Sequence, residues 1–301
     1  MKKYEVHEKS WDGILYPVFK EKSKIVITVS GSEGELEHAG KLARFLQDNG
    51  IPALAFGLFK TKHSQRNLAR IPLERIYSVI VWLRKNGYHN IAAEGVSKGA
   101  EYVLAAAIEF SELSCVIIKT PSWFYSEGLI SKKPSGTSCW SYLGKELPFT
   151  PYKARKFDMA KMLWKAREFN ILEVNTGKAV LPESIISVEK IKAPILMFST
   201  SADTVWPSRE SCEKLEDRLS KNGFSYPYRH VCFEHMSHVM MEYCNSRVKW
   251  FIKSERQYPE ECAKERKEMG NICVDWIKNV WKQSGKQDSK SINLRANLLN
   301  F

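Results

Sequence analysis

A serine between two glycines stands in the segment IAAEGVSKGAEYVL, residues 91–104. An apolar run stops at Glu94, and apolar residues at helical spacing resume after Gly99. Between a strand and a helix, such a turn can hold Ser97 in a strained conformation that projects its hydroxyl as a nucleophile, with Gly95 and Gly99 letting strand and helix meet closely. The same serine could instead cap the helix, and a chance Gly-x-Ser-x-Gly occurs in roughly one chain of this length in ten.

Two later segments supply the partners that a nucleophilic serine requires. The predicted strand APILMFST runs into Asp203, and the predicted strand PYRHVCFE runs into a segment with two histidines, His235 and His238. Serine, carboxylate and histidine, each after a strand and in this chain order, form the triad of the α/β-hydrolases. There the imidazole takes the serine proton and later returns it, while the carboxylate fixes the imidazole tautomer. We therefore predict that Ser97, Asp203 and His238 are catalytic.

The two histidines compete for the role of base. His238 follows a small residue and precedes VMMEYC, which could start a helix, whereas His235 lies nearer the strand. We favour His238 and expect His235 on the surface or next to the site. A metal site of Cys232, His235, His238 and Cys244 is the alternative, but its spacings match no common zinc module. The prediction is a site without metal or cofactor.

The predicted strand KIVITVS, residues 24–30, ends in the turn GSEG and leads into a helix. Backbone N–H groups of such a turn can converge on an anion. We predict an oxyanion hole built from the amide of Ser32 or Glu33 and from that of Lys98, the residue after the nucleophile. An ordinary glycine-rich connection is the alternative. No phosphate-binding GK[ST] follows this turn, and the first strand has no dinucleotide GxGxxG motif.

Short apolar, β-branched runs alternate with segments of helical spacing along most of the chain. Strands are predicted at 13–19, 24–30, 51–56, 90–95, 114–120, 193–200 and 227–234. Helices are predicted at 35–50, 72–87, 98–110, 208–223 and 259–283, three of which end on Asn-Gly. Because most strands are apolar throughout, this alternation predicts an α/β fold with a mostly parallel central sheet and helices on both faces. In such a sheet, functional residues lie at the carboxyl ends of the strands.

The alternation breaks between about residues 121 and 190, a stretch too long for a plain connection. We predict a lid-like insertion there, rich in large side chains that form a small satellite core, line an apolar pocket, or do both. The candidates for the substrate pocket are Trp123, Phe124 and Trp206. We expect a single domain over residues 1–283 and a polar tail over residues 284–301.

Composition excludes several classes of protein. The chain has 46 basic and 34 acidic residues, a formal charge of +12, but the lysines and arginines are scattered without a nucleic-acid-reading motif, so we predict no nucleic-acid partner. Seven widely spaced cysteines indicate free thiols in a reducing compartment. Without a signal-like apolar region or a long apolar window, we expect a soluble, cytoplasmic protein with no membrane span. The sequence leaves the oligomeric state open.

Taken together, these segments resemble the C-terminal hydrolase domain shared by acyl-CoA thioesterases and bile acid-CoA:amino acid N-acyltransferases. The elbow GVSKGAE, the upstream NLARIPLERIYSVIVWL and the turn SGSEGELEHAGKLA are similar to corresponding family segments. SADTVWPSRE and HMSHVMMEYC resemble the segments with the acid and the histidine, and PEECAKERKEMGNICVDWIKNVW resembles the closing helix. The resemblance spans roughly residues 11–283 and implies an α/β-hydrolase fold, like that of dienelactone hydrolases.

This resemblance implies an acyl-CoA thioesterase that acts through an acyl-enzyme. The amino-acid-conjugating transferases of the family use a cysteine nucleophile, whereas this chain has Ser97, which favours water over an amine as acyl acceptor. The alternatives are a carboxylesterase or dienelactone-type hydrolase on a small ester, an acyltransferase to an amine, and a non-catalytic binding protein. For an enzyme, the expected partner is a small-molecule acyl thioester or ester.

Overall fold

The computed structural model describes residues 2–19, 21–131, 133–153, 164, 180–244 and 246–281. Its strands are β1 (Tyr4–His7), β2 (Asp12–Tyr16), β3 (Lys24–Val29), β4 (Ala53–Phe56), β5 (Ile71–Pro72), β6 (Asn90–Val96), β7 (Leu113–Lys119), β8 (Glu127–Ile130), β9 (Lys133–Ser138), β10 (Trp140–Tyr142), β11 (Lys145–Glu146), β12 (Ile195–Thr200) and β13 (Tyr228–Phe233). Its α-helices are α1 (Leu36–Asp48), α2 (Glu74–Lys85), α3 (Lys98–Glu109), α4 (Ser208–Lys221), α5 (Lys253–Gln257) and α6 (Pro259–Asp275). The predicted polar tail, residues 284–301, lies outside the described residues.

A mostly parallel sheet forms the centre of the described chain, with the strand order β1-β2-β4-β3-β6-β7-β12-β13. Strands β4, β3, β6, β7, β12 and β13 run parallel, whereas β2 pairs antiparallel with both β1 and β4. The strands predicted from the apolar runs are all present in it. Strand β1 escapes prediction because its sequence, YEVH, is mostly exposed and has no apolar run.

Helices cover both faces of this sheet. Ile25, Ile27 and Val29 of β3 belong to a core cluster that includes side chains of α2, α3 and α4. Val26, which points the other way, belongs to a second cluster with side chains of α1 and α6. All four side chains are 0% exposed. Burial of an apolar side chain contributes about 1.5–3 kcal/mol, so the two layers together hold the strand ends in a fixed register.

The last predicted helix packs on the sheet as expected. Helix α6 continues into a π-helical turn, Trp276–Val280, and Trp276 and Trp281 are buried in the second cluster. The ammonium group of Lys24 donates to the terminal carbonyls of Ile277 and Trp281 at 3.3 and 2.6 Å, which suits the negative end of a helix. Among the described helices, none is both long and apolar enough to cross a membrane.

The predicted insertion at 121–190 is described in part, and its described part packs on α3. Strands β8 and β9 form one small sheet, while β10 joins β5 and β11 in another. Trp140 on β10 is 0% exposed and lies 5.2 Å, between ring centroids, from Tyr102 of α3. Its indole N–H donates to Glu101 of α3 at 2.8 Å. The insertion therefore braces the helix that follows Ser97; its residues 132, 154–163 and 165–179 lie outside the described chain.

Candidate active site

The turn between β6 and α3 holds Ser97 in a conformation that residues with a side chain rarely adopt. Its φ is 55° and its ψ is −117°, and such a conformation costs about 1–3 kcal/mol. The N–H of Ser97 donates to the carbonyl of Lys119 at 2.9 Å, and its own carbonyl accepts from the N–H of Ala100 at 3.0 Å. These bonds to β7 and α3 keep the strained turn in place.

Gly95 and Gly99 are required by the close approach of backbone segments at this turn. A Cβ atom on Gly95 would lie 2.3 Å from the carbonyl oxygen of Gly99. A Cβ on Gly99 would lie 2.3 Å from the carbonyl oxygen of Ser30, at the end of β3. Any side chain at either position would push α3 away from the sheet.

The side chains of Ser97, His238 and Asp203 meet above the carboxyl ends of β6, β12 and β13. Ser97 Oγ lies 2.9 Å from His238 Nε2, and His238 Nδ1 lies 2.9 Å from both carboxylate oxygens of Asp203. Asp203 is 7% exposed and also accepts the N–H groups of Val205 and Trp206 at 3.0 and 2.9 Å. The Ser97 hydroxyl makes no capping bond to α3. A proton on Nδ1 leaves Nε2 free to accept the hydroxyl proton.

His235, the competing histidine, bonds to α6 instead. Its Nδ1 lies 3.0 Å from Glu265, and its ring lies 4.8 Å from that of Tyr258. The alternative metal site is not formed in the described chain. The possible ligand atoms of its residues do not converge on one point; these residues are Cys232, His235, His238 and Cys244.

The segment after His238 is irregular, so the expectation that VMMEYC starts a helix is wrong. Arg266 of α6 explains the difference, because its buried guanidinium donates to the carbonyls of Val239 and Met241 at 2.9 and 3.0 Å. In a helix these carbonyls would bond to backbone N–H groups four residues on. Glu255, 2.5 Å from Arg266, orients the guanidinium. The loop that carries His238 is thus held by side chains.

A buried ion cluster links this loop to the turn that carries Ser97. The Lys119 ammonium contacts Glu94 of β6 and lies 2.5 Å from Glu242 of the histidine loop. The side chains of all three are at most 3% exposed. Burial, together with the neighbouring Glu242, raises the pKa of Glu94. Burial opposes the charge of Lys119, but the two carboxyl groups raise its pKa above the ordinary value.

Sequence reasoning missed this cluster, although a signal was present. Glu94 and Lys119 are charged residues at the ends of two apolar strands, where buried charges require partners. Glu242 lies in an irregular loop, and its place beside them follows from tertiary packing alone.

The turn expected to form the oxyanion hole lies against Ser97. Gly34 has a φ of +75°, and a Cβ on it would lie 2.3 Å from the ring of Phe59. Ser32 and Glu33 line a cavity of about 410 Å³ that also contains Ser97 and His238. Its apolar walls were not singled out from the sequence; they are Leu42, Val96, Val205, Val239, Met241, Val248 and Ile252.

Lys98 follows Ser97 as the first residue of α3, and its side chain is buried away from that cavity. The ammonium contacts Ser126 and lies 3.1 Å from Glu101. It also lies 5.6 Å from the ring centroids of both Tyr152 and Trp206. The side chain of Lys98 therefore joins α3 to the insertion.

Of the three predicted pocket residues, Trp206 lines a cavity that reaches Ser97. That cavity measures only about 20 Å³ and is otherwise lined by polar residues such as Ser122. Phe124, 5% exposed, packs against Trp206 at 5.5 Å between ring centroids. Trp123 lies under the ammonium of Lys214 at 4.8 Å. The structure thus favours the satellite core for Trp123 and Phe124.

The electrostatics around His238 favour its protonated form. Burial lowers the pKa of the imidazole, but the charge and the hydrogen bond of Asp203, with the charge of Glu33, outweigh it and raise the pKa above the ordinary value. An imidazolium formed after proton transfer would be stabilised by the same two carboxylates.

Comparison with protein families gives one match over most of this region. The family described as BAAT / Acyl-CoA thioester hydrolase C terminal matches residues 73–245, which include Ser97, Asp203 and His238. Among curated proteins, none has a sequence that matches the chain significantly.

Comparison with solved structures identifies the fold. An esterase from Pyrococcus furiosus superposes with a TM-score of 0.55 at 16% identity, covering 91% of this chain and 92% of the esterase. A sugar hydrolase from Lactococcus lactis gives a TM-score of 0.60 at 16% identity, covering 93% and 100%. A puromycin-hydrolysing peptidase from Mycobacterium tuberculosis gives 0.60 at 11% identity, covering 95% of this chain and 40% of the peptidase. The expected α/β-hydrolase fold is therefore confirmed.

Replacement of Lys119 by Met should lower the free energy of unfolding by about 3–5 kcal/mol, because removing one partner leaves buried carboxyl groups unpaired. Urea denaturation measures the change. Lys192→Met, at an exposed position before β12, is the control and should stay within about 0.5 kcal/mol of the unmodified protein. Adding Glu94→Gln and Glu242→Gln to Lys119→Met should recover part of the loss. Equal effects of Lys119→Met and Lys192→Met would contradict the role of the cluster.

Proposed function

We propose that this chain, which belongs to the BAAT / acyl-CoA thioester hydrolase C-terminal family, is a serine hydrolase that cleaves an acyl-CoA thioester. The observation that carries the proposal is the continuous hydrogen-bonded chain from Ser97 through His238 to Asp203 at a strained strand-to-helix turn. A hydroxyl on such a turn, bonded to an imidazole that a buried carboxylate orients, is the arrangement of an activated nucleophile.

The proposed reaction has two steps. Ser97 Oγ attacks the thioester carbonyl while His238 Nε2 takes the hydroxyl proton, and Asp203 stabilises the imidazolium. The carbonyl oxygen becomes an oxyanion, which the amides of Lys98 and of Ser32 or Glu33 would hold. The tetrahedral intermediate then collapses and expels the coenzyme A thiolate, which takes the proton from His238. The acyl group stays on Ser97 as an acyl-enzyme. Water then attacks the acyl-enzyme with His238 as base, and the carboxylic acid and free Ser97 are released.

The cavities support a substrate with an apolar part and a distant anionic part. The cavity of about 410 Å³ at Ser97 shares Lys41 and Tyr243 with a second cavity of about 610 Å³. The second cavity adds the cationic side chains of Lys3 and Arg44. Lys41 and Arg44 lie 2.7 and 3.6 Å from carboxylates of their own helix, and substrate phosphates would compete for these cations. A thioester at Ser97 would place the phosphates of coenzyme A toward Lys41.

Hydrolysis of a small ester is the second candidate. It is supported by the cavity of about 20 Å³ between Ser97 and Trp206, which would accept a short acyl group and no more. The serine nucleophile favours water over an amine as acceptor in either case.

Ser97→Ala should abolish turnover while the melting temperature stays close to that of the unmodified protein, since Ser97 is bonded to the rest of the turn through its backbone. Thiol release from acyl-CoAs of increasing chain length measures turnover, and Ser201→Ala, at an exposed serine, is the control. Thiol release that is equal with and without Ser97 across all chain lengths would end the proposal. Turnover of short aryl esters without any thioester would select the small-ester alternative.

Arg44→Glu should raise KM for an acyl-CoA about tenfold, because a hydrogen bond between charged groups contributes about 1.5 kcal/mol. KM for the same acyl group on N-acetylcysteamine, which lacks the phosphates, should not change. Lys85→Glu makes a similar charge change at an exposed site at the end of α2, on the opposite face of the sheet from α1, and should leave both values unchanged. A rise for both thioesters would contradict phosphate binding at Arg44.

The rate should fall at low pH as His238 becomes protonated, because only the neutral imidazole accepts the Ser97 proton. Since Glu33 helps to raise this pKa, Glu33→Gln should move the acid limb of kcat/KM to lower pH. The pH profile on an acyl-CoA measures the shift. Glu35→Gln, at a neighbouring exposed carboxylate, should leave the limb in place; a shift of the same size there would contradict a specific role for Glu33.

A further inference from the structure

Two histidines at the edge of the main sheet direct the same ring atom at one buried carboxylate. The Nδ1 atoms of His7 and His63 lie 2.7 and 2.8 Å from Oδ1 of Asp12. The potential ligand atoms of the three residues all lie within 4.8 Å of one another. The side chain of Asp12 is 2% exposed, whereas those of His7 and His63 are 48% and 30% exposed. A buried anchor and two accessible imidazoles therefore converge on one point.

The fold fixes the position of each of these groups. His7 is paired directly opposite Asp12 in the β1–β2 register. Asp12 Oδ2 accepts the backbone N–H of His63 at 2.7 Å, and the backbone carbonyl of Asp12 accepts the N–H of Gly57 at 3.0 Å. Because Oδ2 is engaged by the backbone, Oδ1 is the atom presented to both imidazoles.

The outer nitrogen of His7 has the kind of partner that ligating histidines use. Glu5 Oε2 lies 3.5 Å from His7 Nε2. A metal-bound imidazole almost always donates its other N–H to a carboxylate, a carbonyl or water, which keeps the lone pair on the ligating nitrogen. With a proton on Nε2, the Nδ1 lone pair of His7 would face the Asp12 carboxylate at 2.7 Å. Two lone pairs that close repel each other unless a proton or a metal ion lies between them.

The distances from Asp12 to the two imidazoles are close to those of a zinc site. Bonds of about 2.0–2.1 Å in a tetrahedral site place the ligand atoms about 3.3 Å apart. Each Nδ1 would therefore move about 0.5 Å away from Asp12, which the exposed rings of His7 and His63 allow. Two imidazoles and one carboxylate suit Zn²⁺ and its neighbours, whereas Mg²⁺ and Ca²⁺ prefer sets made only of oxygen.

A second group of ligand-type side chains in the described chain, Glu94, Glu242 and Cys273, does not compete with this one. The ammonium of Lys119 already lies against both of its carboxyl groups. A divalent ion at that position would meet the positive charge of Lys119.

We propose that His7, Asp12 and His63 bind a divalent ion of the zinc class, with water as the fourth ligand. The ion joins the exposed edge strand β1 to the segment that follows β4, so its role is to stabilise the edge of the sheet. The site lies outside the proposed catalytic machinery, and the two proposals stand or fall separately.

The test is a calorimetric titration of the full chain, without a histidine tag and stripped of metal by a chelator, with Zn²⁺. We expect one tightly bound equivalent and a higher melting temperature. His7→Ala and His63→Ala should each weaken binding at least tenfold while melting cooperatively without zinc. His89→Ala, at an exposed histidine directly before β6, should bind like the unmodified protein. Co²⁺ as a probe should give the absorption spectrum of a tetrahedral site.

Three results would overturn the proposal. Binding that survives His63→Ala but is lost in His238→Ala would place the ion at the proposed active site. An equal rise in melting temperature with Mg²⁺ would indicate a general effect of divalent ions. The third result would be that the unmodified chain folds cooperatively but binds no zinc.

Discussion

The geometry around Ser97 depends on the buried ion pairs that the ammonium group of Lys119 makes with Glu94 and Glu242. The backbone carbonyl of Lys119 accepts the N–H of Ser97, and its side chain ties Glu94 of β6 to Glu242 of the histidine loop. Removing ions from water costs several kcal/mol per ion, and apolar residues of similar volume are often more stable. We interpret the cluster as a device for specificity, because oppositely charged partners with fixed directions select one position of the loop that carries His238.

The strain at Ser97 is tolerated because the surrounding elements leave it no alternative. Helix α3 is buried along nearly its whole length, from Lys98 to Ala107, and the glycines at 95 and 99 bring it into contact with β3 and β6. The insertion adds a second restraint through Trp140 and Ser126, which both bond to Glu101. Relaxing the turn would disturb these contacts together, and their loss would exceed the strain of about 1–3 kcal/mol.

Local patterns predicted most of the fold and the three residues that meet at the site. Apolar runs identified the parallel strands, and Asp203 and His238 were found because each follows a strand in the required chain order. Features that depend on distant residues were not predictable in this way. VMMEYC could start a helix by its sequence, but Arg266 from α6 takes up the carbonyls of Val239 and Met241. Trp123 and Phe124 are large aromatic residues of the kind that lines apolar pockets. Whether an aromatic ring faces a ligand or another side chain is decided by tertiary packing.

The net charge of the chain illustrates the same limit. A charge of +12 attracts anions of any kind. Yet Lys98 and Lys119 are buried in ion pairs, so neither adds to the field at the surface. Lys3, Lys41 and Arg44 line the two neighbouring cavities that share Lys41 and Tyr243, one of which contains Ser97. Binding of a phosphate-bearing thioester would therefore depend on the position of these three side chains relative to Ser97 and not on the total charge of the chain.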